Sequence, residues 1–135
     1  MSAAIYRTET SKPVNEFIQD FTAIARGNGF LIHNEDKMEM AHVFGVHGVA
    51  VAAGFDLHMV QICKPAKAAK SLSKNPERAI LMPKFVMVFS QEGKTAIRML
   101  RFSAAQVAEL VDDAEFPASI VESFEHIVTA IEAAR

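Results

Sequence analysis

Over residues 57–63, "LHMVQIC", side chains alternate between two faces, with Leu57, Met59, Gln61 and Cys63 on one and His58, Val60 and Ile62 on the other. This period of two predicts a strand. The pattern changes at Lys64-Pro65, and "PAKAAKSLSK" predicts a helix that stops at Asn75-Pro76, because the residue before a proline avoids the helical region. Earlier in the chain, Val14, Phe17, Ile18, Phe21, Ile24 and Ala25 recur at helical spacing behind Pro13, which predicts an amphipathic helix. "GNG" ends that helix with glycine at its left-handed cap. "AIYRTE" and "FLIH" suit short strands. "KFVMVFS", "QEG" and "KTAIRMLRF" form a predicted hairpin with glycine in the turn. Ser103 and Gln106 give the spacing of a capping box before "AAQVAELV". Pro117 opens a last helix that turns Ile120, Phe124, Ile127, Val128 and Ile131 inward. Residues 38–54 read two ways. "MEMAHVF" suits a helix that extends toward Ala53, but Gly45 and Gly48 each weaken a helix by about 1 kcal/mol against alanine, so "HGVAVAAGF" also suits extended chain.

The order strand, helix, strand, helix, strand, helix, hairpin, helices predicts a two-layer α+β fold, with a mixed sheet of about five strands and helices mainly on one face. Residues 1–135 fit a single domain, long enough to bury a core without staples. Half the residues are hydrophobic and 22% are charged, which argues against disorder. A formal charge of −2 gives no general pull toward nucleic acid or an anionic membrane. "AHVFGVHGVAVAAGF" is too short and too polar to span a bilayer. "MSAAIYRTETSKP" lacks the apolar stretch of a signal peptide, and a lone cysteine fits a reducing compartment. The expectation is a cytoplasmic protein with no nucleic-acid or membrane partner.

Candidate chemistry centres on Cys63, the one cysteine. At a strand-to-helix junction the free N–H groups of the helix favour an anion, so the thiol pKa is expected to fall. Lys64, Lys67, Lys70 and Lys74 step by three, three and four residues and share a helical stripe of about 120°. Arg78 and Lys84 follow. Cys63 is therefore the candidate catalytic residue, and Lys64, Lys67, Lys84 and His58 are the candidate ligand-binding residues. The plainer alternative makes Cys63 a small apolar residue and the lysines a solvated face opposite Ala66, Ala69 and Leu72. His42 and His47, with nearby methionines, are the candidate ligands for copper or haem, but they are five residues apart and fit no metal motif. Otherwise no cofactor is expected. No acid–base pair or nucleophile–base pair is visible, which argues against a turnover enzyme.

"QICKPAKAAKSLSKNPERAILMPKFVMVFSQEGKTAIRM" resembles domain-of-unknown-function family 302. In that family a strand ends in Cys-Asn-Pro, an Ala-rich helix follows, and a Leu-Pro-Cys step leads into a hairpin. Cys63-Lys64-Pro65, the helix from Ala66 to Leu72, Met82-Pro83-Lys84 and "FVMVFSQEG" stand in those places. The resemblance is good over residues 57–101 and departs over 34–54. Lys64 replaces the asparagine and Lys84 the second cysteine, so a two-thiol reading does not carry over. The resemblance implies a small α+β fold similar to domains seen as homodimers, and no assigned activity.

Three functions follow as expectations. The first is a small-anion or sulfur-handling protein, in which Cys63 is the acceptor thiolate and the lysines draw in an anionic or sulfur-containing ligand. The second is a His/Met metal- or haem-binding protein. The third is a non-catalytic homodimeric interaction module.

Overall fold

The computed structural model describes residues 4–135. Residues 1–3, where the stretch read as lacking an export signal begins, lie outside the described residues. The elements are β1 (Ala4–Thr10), α1 (Val14–Gly27), β2 (Leu31–Ile32), α2 (Met40–Val46), β3 (Leu57–Cys63), α3 (Pro65–Lys74), a 3-10 segment (Pro76–Leu81), β4 (Lys84–Gln91), β5 (Lys94–Arg101), α4 (Ala104–Leu110) and α5 (Phe116–Ala134). The fold is open α+β, with a five-stranded sheet in the order β1-β5-β4-β3-β2.

Every pairing is antiparallel, where a mixed sheet was expected. The reason lies in residues 64–83. A strand–helix–strand pattern suggests a parallel crossover, but α3 and the 3-10 segment form an excursion at one end of the sheet. The chain re-enters beside the point where it left, with Lys84 opposite Ile62.

One sheet face carries Val60, Ile62, Val86, Val88, Ile97 and Met99, all buried against Phe17 and Phe21 of α1 and Ile120, Phe124, Ile127 and Ile131 of α5. The rings of Phe17 and Phe21 stack at 5.7 Å. Tyr6 reaches from β1 across this layer to donate a hydrogen bond to the Glu132 carboxylate. The opposite face is less covered, with Ile5 46%, Leu31 51% and Leu100 53% exposed.

The hairpin turns through Glu92 and Gly93, both at positive φ (52° and 79°), the backbone of a two-residue type I′ turn. Ser103 and Gln106 make both bonds of the capping box. Residues 38–54 resolve in favour of the shorter helix. α2 ends at Val46, and Gly48 at φ 74° turns the chain away. The following residues 49–56 are irregular and exposed except Asp56.

Candidate functional site

The excursion between β3 and β4 brings four of the predicted residues together. Cys63 ends β3, Lys64 is the N-cap of α3, and Pro65 occupies the first turn, where its missing N–H leaves no gap. Lys84 starts β4, on the core side beside Ile62. Cys63, Lys64, Lys67 and Lys84 line one small cavity of about 40 Å³ that opens to solvent.

The cavity walls come from elements far apart in sequence. α1 closes with paired hydrogen bonds from Gly29 N–H to Arg26 and from Phe30 N–H to Ala25, 3.0 Å each. This Schellman geometry requires the left-handed φ of 89° at Gly29. It buries the Phe30 ring in the cavity wall, where the Lys64 ammonium lies 4.7 Å from its centroid. α5 supplies the facing wall through Phe116, Ser119, Ile120 and Ser123. The Lys67 ammonium donates to Ser123 Oγ at 3.1 Å.

A buried ion pair holds the two walls. Arg78 Nε donates to Asp113 Oδ2 at 2.6 Å, with both side chains 7% exposed. Asp113 also accepts from Asn75 and from the backbone N–H of Phe116, capping the start of α5. Arg78 Nη1 reaches back to Ser71 Oγ on α3 at 3.0 Å. The Arg78 and Asn75 hydrogen bonds hold the Asp113 carboxyl far below the usual carboxylate range.

The cavity lining includes three lysines and no carboxylate. Among the described residues, none of the three makes an ion pair. The half-buried Lys84 ammonium donates to the Met82 carbonyl at 3.3 Å and lies 5.9 Å from the Phe124 ring centroid. Burial pushes its pKa down. The Lys67 charge lowers it further, against an opposing pull from Cys63. The thiol behaves differently from the sequence expectation. Burial pushes the Cys63 pKa up, and the charge of Lys84 offsets this only in part. The expected fall rested on the helix terminus and lysines; removal of the sulfur from water opposes them and prevails.

The other predicted residues lie elsewhere. His58 is buried on the opposite face of β3 from Cys63, five residues and roughly 16 Å along the strand. It faces Asp56, with Nδ1 3.6 Å from the carboxylate, and is not part of the cavity. His42 on α2 and His47 at its C-cap are exposed. Among the described residues, no group of three or more His, Cys, Asp or Glu side chains is placed to hold a metal ion. Lys70 is exposed, Lys74 pairs with Glu115 at 3.6 Å, and Arg78 is committed to Asp113. Sequence reasoning missed Phe30, Ser119 and Ser123. The two serines interrupt an apolar helix face at a four-residue step, which was a readable signal.

Fold and cavity together define a small antiparallel α+β domain with a cation-lined cavity where its central strands meet two helices. No helix among the described residues is long and apolar enough to cross a membrane. The model of the family described as domain of unknown function DUF302 matches residues 6–134, and the chain belongs to that family. The crystal structure of an uncharacterized conserved DUF302 protein from Bacillus stearothermophilus is similar to it, with a TM-score of 0.78 at 17% identity over 97% of this chain and 98% of that one. No curated protein matches.

Proposed function

We propose that this DUF302 chain, read as one domain over residues 1–135, binds a small anion in the cavity between α3 and α5, with Lys64, Lys67 and Lys84 supplying the positive charge. One observation carries the reading: three lysines line a largely apolar cavity that presents no carboxylate to neutralise them. Charge-assisted hydrogen bonds to an anion are worth about 1.5–3 kcal/mol each, and partial burial protects them from salt. Ser119 and Ser123 add hydroxyls to the facing wall.

Sulfur handling is the finer form of this reading. The Cys63 thiol loses its proton to solvent, and the thiolate attacks the outer sulfur of thiosulfate. The S–S bond of thiosulfate breaks, sulfite leaves, and Cys63 is left as a persulfide. The elevated thiol pKa makes this step slow in the free protein, so anion capture is the primary role. The lone cysteine supports a reducing compartment such as the cytoplasm.

Calorimetric titration with sulfate and thiosulfate tests the reading. The expected result is one site for each anion, weakened about tenfold or more by Lys67→Met. Absence of binding by the wild-type chain refutes anion capture. Binding of thiosulfate without a persulfide on Cys63 by mass spectrometry refutes sulfur transfer alone.

A homodimer through the less covered sheet face is a second reading. Ile5, Leu31 and Leu100 are exposed there, and Phe85, Met87 and Phe89 of β4 are only half-buried. These residues share one face of the sheet, and a second copy offers the same surface in return. Light scattering is expected to give twice the chain mass, and Met87→Glu to restore the monomer. A monomer across the concentration range refutes it.

A further inference from the structure

Lys84 differs from the lysines outside the cavity. Its amine sits in the wall of an apolar cavity, near a second ammonium and without a carboxylate partner among the described residues. Lys12, Lys74 and Lys94 all have carboxylate partners, and Lys37 and Lys70 are exposed to water. Apolar surroundings and a neighbouring cation are the two conditions that release a lysine amine from its proton and make it a nucleophile.

Resting on the anion-binding reading, we propose that the cavity takes a small oxo acid and that Lys84 Nζ joins its carbonyl carbon as a Schiff base. The ligand's carboxylate takes the place of the missing counter-charge beside Lys64 and Lys67. Its carbonyl then reaches the amine at the start of β4. In the step itself the neutral amine attacks the carbonyl carbon, a C–N bond forms and the C=O π bond opens. The carbinolamine takes one proton from solvent, expels its oxygen as water, and leaves a positively charged iminium on Lys84. No electrons leave the system, and no oxidant or metal is needed. Cys63 lines the same cavity, and its thiol can add reversibly to the iminium carbon: a C–S bond forms, the C=N π bond opens, and the thiol proton goes to solvent.

The test is incubation of the full chain with glyoxylate at neutral pH, reduction with cyanoborohydride, and peptide mapping. One reduced adduct on Lys84 is expected, forming at least about tenfold faster than on the water-exposed Lys37, Lys70 or Lys94. Lys84→Arg removes it, and sulfate in excess slows it. Adducts spread over the exposed lysines in preference to Lys84 overturn the proposal. If sulfate binds by calorimetry but Lys84 stays unmodified, the imine fails and the anion site stands. If neither sulfate nor glyoxylate binds, both fail.

Discussion

Replacing Lys84 by methionine keeps an unbranched apolar stem in the cavity wall and removes the ammonium. The structure predicts a more stable protein at neutral pH. Burial of the charge is the largest unfavourable contribution, and repulsion from Lys67 adds to it. Like charges lining one small cavity repel by on the order of 1–2 kcal/mol at an effective dielectric near 20. Against this, the wild-type chain gains about 1 kcal/mol from the Met82 carbonyl contact and about 0.5–1 kcal/mol from the Phe124 ring. The net gain in Lys84→Met is on the order of 1 kcal/mol, or roughly 3–5 °C in Tm for a chain of this size. Its pH dependence is more specific. The folded state lowers the Lys84 pKa, so the wild-type penalty is full below that lowered value. It vanishes above the unfolded lysine value of about 10.4. Urea midpoints of both proteins at pH 7 and near pH 11 read this directly: a gap at pH 7 that closes at high pH. A wild-type protein that is the more stable at pH 7, or a gap that persists unchanged at high pH, refutes the uncompensated charge.

Asp113→Asn is expected to lower the melting temperature at pH 6, because it removes the charge paired with Arg78. The gap to wild type is expected to narrow below about pH 4 in thermal melts, since a depressed carboxyl contributes stability that is lost as pH falls through its folded value. Tyr6 is the one tyrosine, and the chain has no tryptophan, so its ultraviolet titration is unobstructed. Burial and the Glu132 hydrogen bond raise its pKa to about 12, and Glu132→Gln is expected to bring the midpoint down. The same shift predicts stability lost as pH rises from about 10 toward 12. Gly29→Ala meets no atom within 4 Å but retains a φ of 89°, so it is expected to destabilise by about 1 kcal/mol through backbone strain alone. Chemical denaturation checks this, and an unchanged midpoint refutes the assigned cap.

Local rules located much of the cavity lining. The boundaries of β3 and α3 follow from a period of two that breaks at Lys64-Pro65, and proline and asparagine then stop the helix. Lys84 was named as a further cation after the lysine stripe, but only the antiparallel register sets it beside Ile62. His58 lies outside the cavity, because strand alternation puts it with Val60 and Ile62, away from Cys63. The direction of the thiol pKa was not legible, because burial of Cys63 depends on neighbours that local sequence does not show. Ser119 and Ser123 escaped for the same reason. They face Lys67 only because the Arg78–Asp113 pair sets α5 against α3.

The sheet order also dictates the order in which the molecule is completed. β1 pairs with β5, joining Ala4 to Arg101, so the N-terminal strand waits for most of the chain to be made. α5 follows later still and brings one whole wall of the cavity. A chain ending before Phe116 has the β3, β4 and β5 sequences yet lacks a pocket. On the proposed anion-binding reading, a ligand seated between Lys67 and Ser119 acts as a clasp on α5, and its binding energy adds to the stability of the element that seals the core.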